Sequence, residues 1–154
     1  MSNRDAFLTA VSRCEGTDGL DGYRALFGYT PARNAPVFDG YVDHPNIRMT
    51  FKQTDGQQKI TTAAGRYQIN YPTWRNLKMR YGYVDFTPAT QDDAALRLIE
   101  EHGALADVDA GNFLSAIDKC AACWASLPAS MYPQPTRTLQ FALNAYTSAG
   151  GQVA

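Results

Sequence analysis

The sequence predicts an α+β fold, a mainly helical lobe and a small β-hairpin lobe with a cleft between them. Three observations carry this. Apolar residues recur at helical spacing near both ends of the chain, as in Phe7, Leu8, Val11 and Cys14. Asp55-Gly56 separates two short extended stretches, a hairpin-turn signal. Between Gly16 and Gly40, glycine and proline recur so densely that long loops and short irregular elements are expected. The 154 residues suit one domain, residues 1–154, with a real hydrophobic core.

Taken in order, Ser2 and Asp5 form a capping-box pattern that starts the first helix. Gly16 offers it a left-handed stop. Tyr23, Leu26, Phe27, Tyr29, Val37, Phe38 and Tyr41 anchor the glycine-rich stretch, so it is folded. Arg48 to Lys52 and Lys59 to Thr62 make the arms of a hairpin over residues 47–62. A helix is expected from Ala64 to Tyr71, interrupted by Pro72. Thr73 caps the next, through Trp74, Leu77 and Tyr81 to Gly82. Thr90 caps another, with Ala94, Ala95, Leu98 and Ile99 on its buried face and Gly103 at its end. A further helix is expected over Asn112 to Leu127, stopped before Pro128. Pro128 to Pro135 is a loop. Thr136 or Thr138 opens the last helix, which carries Leu139, Phe141, Ala142, Leu143 and Tyr146 and closes at Gly150-Gly151.

Composition narrows the function classes. The chain is 45% apolar and 19% charged with a net charge of −1, which lacks the basic bias of a nucleic-acid binder. No apolar stretch is long enough to cross a bilayer, so no membrane insertion is expected. Met1 to Asp5 lacks the apolar segment of a secretory signal, which predicts synthesis in a cytosol without export by that route. Cys120-Ala-Ala-Cys123 has the spacing of half a zinc site or a redox pair. There is no second such pair, and a structural zinc site needs about four ligands. Both cysteines fall on an apolar helical stripe with Ile117, Ala121 and Trp124, and core packing is the expected role. No metal or organic cofactor is implied.

Glu15 is the candidate for chemistry. It occupies the last turn of the first helix, where the helix dipole disfavours an ionised carboxylate. Partial burial would add to that effect and raise its pKa, keeping a proton available for general-acid work. The other reading is a solvated glutamate at a frayed helix end. Thr62, Arg66, Tyr67, Gln68, Tyr132 and Gln134 supply the hydroxyl, amide and aromatic groups that hold a neutral polymer such as a glycan. Each also has an ordinary structural reading: a surface ion pair for Arg66, packing for Tyr67, a solvated loop for Gln134.

Four motifs, in order, carry a resemblance. Ser12-Arg13-Cys14-Glu15-Gly16-Thr17, Asp43-His44-Pro45, Thr62-Ala63-Ala64-Gly65-Arg66-Tyr67-Gln68 and Trp124-Ala125-Ser126-Leu127-Pro128 together resemble the phage lambda endolysin family. Asp85-Phe86-Thr87-Pro88, Gln91-Asp92 and Gly103-Ala104-Leu105 extend it. The family's members are peptidoglycan lytic transglycosylases, so the resemblance implies a lysozyme-like fold, a glycan groove and a single catalytic glutamate matching Glu15. It places Gly65 to Gln68 near the groove and makes Pro128 to Gln134 a groove lip. Two departures stand out. Cys14 replaces an expected serine, and Ala129-Ser130-Met131-Tyr132-Pro133 is less glycine-rich than the lambda pattern.

The resemblance further implies cleavage of the bond between N-acetylmuramic acid and N-acetylglucosamine in the peptidoglycan glycan strand. It implies 1,6-anhydro products and no second carboxylate. Asp43, Thr62, Arg66, Tyr67, Gln68, Tyr132 and Gln134 are the expected substrate contacts. Access to periplasmic peptidoglycan from the host cytoplasm would need a holin, and a monomer is expected. The alternatives are a hydrolytic muramidase pairing Glu15 with Asp18, Asp21 or, best placed, Asp43, and a non-catalytic peptidoglycan-binding protein.

Overall fold

The computed structural model describes residues 1–154 apart from Ala129, Met131, Tyr132 and Gln134. In chain order its elements are helix α1 (Asn3–Glu15), a 3₁₀ turn at Gly22–Arg24, strands β1 (Ala25–Thr30), β2 (Ala35–Val37), β3 (Met49–Lys52) and β4 (Gln58–Thr61), then helices α2 (Tyr71–Tyr81), α3 (Pro88–Glu101), α4 (Leu105–Ala110), α5 (Phe113–Cys120) and α6 (Leu139–Ser148). They sort into two compact units. One holds Met1–Glu15 and Ala95–Ala154, the other Gly16–Ala94.

The first unit is helical and built around α1. The Ser2 hydroxyl and N–H both reach the Asp5 carboxylate, at 2.7 and 3.1 Å, and the Asp5 N–H returns to the Ser2 hydroxyl at 3.2 Å. This reciprocal cap pays the orphan donors of the first turn. Ala6, Phe7, Leu8, Ala10, Val11 and Cys14 are buried. Phe7 meets Phe113 edge-on at 6.1 Å, and Phe113 stacks on Tyr146 of α6 at 4.7 Å. Burial of a side chain such as Phe7 stabilises the unit by about 2–3 kcal/mol. Arg4 forks onto Asp109 at 2.7 and 2.8 Å, and Arg13 donates to Ser148 at 2.6 Å. Thr138, the second of the two expected openers, caps α6 by accepting from the Phe141 N–H.

The helix expected over Asn112 to Leu127 ends at Cys120. The N–H groups of Cys123 and Trp124 both turn onto the Cys120 carbonyl, at 2.8 and 3.1 Å. The Ser126 carbonyl accepts from the Arg137 N–H at 2.8 Å, which ties this segment to the residues just before α6. Cys120, Ala121, Trp124 and Leu127 are nonetheless buried. A short helix between Gly103 and Gly111, α4, lacks a long enough apolar repeat to be seen in sequence.

The second unit contains two antiparallel ribbons. The expected hairpin is present, with Met49 opposite Thr61 and Lys52 opposite Gln58 around the Asp55-Gly56 turn. The glycine-rich stretch, expected to be irregular, contains β1 paired with β2. Its turn is held by Asn34, which accepts from the Tyr29 hydroxyl at 2.7 Å and the Asp21 N–H at 2.9 Å. Helix α2 begins at Tyr71, with Asn70 and not Thr73 at its cap and Pro72 inside its first turn, where the missing N–H costs nothing. Gly82 ends it in a left-handed conformation, as expected. Helix α3 starts at Pro88 and not after Thr90. The Thr87 hydroxyl accepts from the Thr90 N–H at 3.4 Å.

The helix expected over Ala64 to Tyr71 is absent. Ala64 makes isolated bridges to Leu26 and Ile69, and Gly65 (φ 81°) and Gln68 (φ 48°) both take left-handed conformations. The Gly65 N–H donates to the Ala25 carbonyl at 2.8 Å, and the Arg66 N–H to the Gln91 Oε1 at 2.9 Å. These long-range bonds outbid a local helix. A Cβ on Gly65 would lie 2.3 Å from the Gln91 Oε1, so both conformation and space require glycine. Gly65→Ala is expected to destabilise the protein by about 1–3 kcal/mol, measured as a lowered denaturant midpoint.

Candidate active site

Glu15 is the last residue of α1, and Gly16 (φ 76°) turns the chain away directly after it. Its side chain is half-buried. The Ser126 hydroxyl donates to its Oε1 at 2.7 Å. Burial raises the carboxyl from an ordinary value near 4.5 to about 7, against the lowering effect of the Ser126 bond. The carboxylate also faces the negative end of the α1 dipole, which pushes in the same direction as burial. A carboxyl with a pKa about 7 holds and releases a proton near neutrality, so one group can serve as acid and then as base.

Ser126 is brought 111 residues along the chain to this carboxylate. Its segment is tied back through its carbonyl to the Arg137 N–H, while the Arg137 Nε donates to the Cys14 carbonyl at 3.4 Å and its guanidinium lies 4.8 Å from the Phe141 ring centre. Arg137 therefore joins the end of α1 to the segment carrying Ser126. Neither residue was singled out from sequence. Ser126 lies within one of the four motifs, but its contact with Glu15 leaves no local pattern.

Cys14, next to Glu15, is buried and its thiol is pushed up to about 11, first by burial and then by the Glu15 charge. Burial also pushes Cys120 and Cys123 up to about 12. All three remain thiols near neutral pH, which suits packing and not nucleophilic attack. Among the described residues no group of three His, Cys, Asp or Glu side chains is placed to hold a metal ion.

The other candidates lie in the second unit and fall into three places. Arg66, Tyr67 and Gln68 share a polar knot. The Arg66 guanidinium donates to the Tyr23 hydroxyl at 2.9 Å and approaches Asp18 at 3.4 Å, with the Tyr23 and Tyr67 rings 5.2 and 5.8 Å away. Tyr67 is buried, and its hydroxyl donates to Asp92 at 2.5 Å. The Thr17 hydroxyl donates to the Arg66 carbonyl. The Gln68 amide donates to the Gly65 carbonyl at 2.9 Å, bracing its own left-handed turn. Asp43 is elsewhere. It accepts from the His44 N–H at 2.8 Å, the Trp74 indole at 2.9 Å and Lys78 at 2.8 Å. Burial would raise its pKa, but these donors outweigh burial and hold the carboxylate below its usual range.

His44, beside it, is buried. Its Nδ1 accepts from the Asn46 N–H at 3.0 Å, so its proton sits on Nε2 and is donated to the Ile69 carbonyl at 2.7 Å. Thr62 lies on a third feature, a groove of about 670 Å³ lined by Asn46, Arg48, Ile60, Thr62, Asn70, Tyr71, Pro72 and Thr73. Its hydroxyl also accepts from the Tyr71 N–H at 2.8 Å. Tyr132 and Gln134 lie outside the described residues.

The architecture is lysozyme-like. A solved structure titled bacteriophage lambda lysozyme complexed with a chitohexasaccharide matches 99% of this chain and 96% of its own, with a TM-score of 0.88 and 34% identity. A second structure, lysozyme from bacteriophage lambda, matches with a TM-score of 0.80 and 33% identity over the same shares. The family model described as Endolysin matches residues 5–153, and the chain belongs to the Endolysin family. It is 35% identical to the endolysin of Escherichia phage lambda over 152 residues, covering 99% of this chain and 94% of that one. It is 37% identical to the endolysin of Escherichia phage P2 over 156 residues, covering 97% and 93%.

Removing the Ser126 hydroxyl leaves burial unopposed. In Ser126→Ala the Glu15 pKa is expected to rise, and the alkaline limb of the pH–kcat/KM profile on purified sacculi should move to higher pH with the fold unchanged by circular dichroism.

Proposed function

We propose that this chain is a peptidoglycan-cleaving endolysin that acts as a lytic transglycosylase, with residues 1–154 as one catalytic domain and Glu15 as its single acid and base. The observation that carries this reading is a carboxyl held by Ser126 with its pKa raised to about 7. The state of the three aspartates that a hydrolytic muramidase would recruit supports it further. Asp18 faces Arg66 at 3.4 Å, Asp21 pairs with Arg24 at 2.9 Å and Asp43 pairs with Lys78 at 2.8 Å. Each is occupied by a cation of its own unit.

In this scheme protonated Glu15 donates to the glycosidic oxygen between N-acetylmuramic acid and N-acetylglucosamine. The bond from that oxygen to the muramic anomeric carbon breaks. The neighbouring 2-acetamido oxygen stabilises the positive charge, a substrate-assisted route. Glu15, now a carboxylate, takes the proton from the muramic 6-hydroxyl, and O6 closes a 1,6-anhydro ring on the anomeric carbon. The carboxyl is returned to its protonated state, and no water is consumed. Substrate contacts are assigned to Thr62, Tyr132 and Gln134, while Arg66, Tyr67, Gln68 and Asp43, expected from sequence as contacts, are held by partners of their own and act by shaping the backbone around them. Among the described residues no helix is long and apolar enough to cross a membrane. The proposal places synthesis in the host cytoplasm and entry to periplasmic peptidoglycan through a holin, with the enzyme acting as a monomer.

Glu15→Gln is expected to abolish clearing of permeabilised Gram-negative cells. Wild-type digests should contain 1,6-anhydro-muramic ends by mass spectrometry, and reducing ends would replace this reading with hydrolysis. The same variant has a stability signature. A folded pKa of about 7 against an ordinary value near 4.5 means the native state holds the proton more tightly. The penalty is absent below pH 4.5, grows through the window between these values and is complete above pH 7. Glu15→Gln should therefore match wild type near pH 4 and exceed it at pH 8, by on the order of 1–2 kcal/mol after allowance for partial exposure.

Asp43→Asn should lower stability by about 1–2 kcal/mol through lost donors, while anhydro product continues to form. Loss of chemistry in a folded Asp43→Asn protein would favour the two-carboxylate enzyme.

A further inference from the structure

Charge is distributed unevenly along this chain. Between Arg48 and Arg80 lie seven of its fourteen cationic residues and one acidic residue, Asp55. The rest of the chain carries seven cations and fourteen acids. The near-zero net charge hides a basic stretch formed by the β3–β4 hairpin and α2. Asp55 is at the hairpin tip, where it accepts from the Gln57 N–H at 3.0 Å.

Several of these cations are already engaged. Arg66 is in the Tyr23–Asp18 knot, Lys78 is on Asp43 and Arg80 lies over the Tyr81 ring at 5.3 Å. Arg48, Lys52, Lys59 and Arg75 are exposed and, among the described residues, make no ion pair. The ribbon register divides the hairpin cations between two faces. Phe51 and Lys59 are opposite one another and share a face, and Phe51 packs on Phe27 at 4.9 Å. Thr50 with Ile60, and Lys52 with Gln58, form the other face. Ile60 and Arg48 line the 670 Å³ groove together, so Lys52 stands on the groove side of the ribbon.

Among the described residues no acidic side chain lines that groove. Asn46, Asn70, Thr62 and Thr73 offer amides and hydroxyls, with Tyr71 as an aromatic wall and Arg48 as the charge. This chemistry suits a short peptide bearing isolated carboxylates. A long polyanion such as nucleic acid would meet the acidic remainder of the chain.

We propose that the groove-side face of the hairpin, through Arg48 and Lys52, binds carboxylates of the peptidoglycan stem peptides. This rests on the reading of the chain as a peptidoglycan-cleaving enzyme and adds a recognition element beyond the glycan backbone. The contact is electrostatic and solvent-exposed, so it weakens with salt.

The test measures sedimentation of the non-cleaving Glu15→Gln protein with native sacculi and with sacculi whose carboxylates have been amidated with carbodiimide and ammonia. Amidation should raise Kd about threefold to tenfold at low salt, in line with two exposed ion pairs. Adding Arg48→Gln and Lys52→Gln should reproduce that loss on native sacculi and cause none on amidated sacculi. Lys59→Gln, on the opposite face, should bind as the parent does. Equal binding of the parent to both sacculi would overturn the proposal, as would unchanged binding by the double variant. Tighter binding to phosphatidylglycerol vesicles than to native sacculi would overturn it in favour of a lipid surface. Wild-type digestion separates the two readings. Cleavage of both sacculi without dependence on carboxylates removes only this inference, whereas no cleavage of either removes the enzyme reading.

Discussion

The hydrogen bond from Ser126 to Glu15 is the interaction on which the candidate site depends. It is one bond of 2.7 Å, yet it needs both ends of the chain's first unit in place. Burial of Phe7, Val11 and Cys14 fixes the axis of α1, and Gly16 fixes where it stops. Arg137 then joins the Cys14 carbonyl to the segment that presents Ser126. The bond opposes burial and keeps the carboxyl able to change state near neutral pH. A more exposed glutamate would stay ionised, and one buried without a donor would give up its proton less readily.

In the second unit the equivalent role belongs to Gln91. Its side chain is buried and uses both ends, donating to the Tyr23 and Phe86 carbonyls at 2.9 and 2.8 Å and accepting from the Arg66 N–H. A buried amide is tolerated because each polar atom is satisfied. The consequence is local. Gly65 must lack a Cβ, and the Arg66–Tyr67–Gln68 turn cannot become helical. The motif that bears most of the resemblance in this unit is therefore a structural fastening.

Charge provides a second division of labour. Acidic residues other than Glu15 are mostly spent on neighbouring donors, as at Asp43, Asp85 and Asp107. The exposed cations of the hairpin have no such partners among the described residues. A chain with almost no net charge can thus present one basic face without behaving as a general polyanion binder.

Much was legible locally. The capping box at Ser2 and Asp5, the Asp55-Gly56 hairpin, the Gly82 and Gly103 stops and the Thr138 cap are short-range devices, each written in a few adjacent residues. So was the placement of Glu15 at a helix end. The ribbon of β1 and β2 was hidden because its glycines read as turns, while its pairing depends on Asn34 bonding to Tyr29 and Asp21. The helix expected at Ala64–Tyr71 was lost to bonds from the distant Gln91 and Ala25, and the one expected to reach Leu127 gives way to turns after Cys120. The sequence by itself determined the fold class, the Asp55-Gly56 hairpin turn and the stops of several helices, because these follow from local backbone preferences. Only the tertiary structure decided which polar groups meet that carboxyl and which are consumed in bracing, because those contacts join residues such as Glu15 and Ser126 that no local pattern connects.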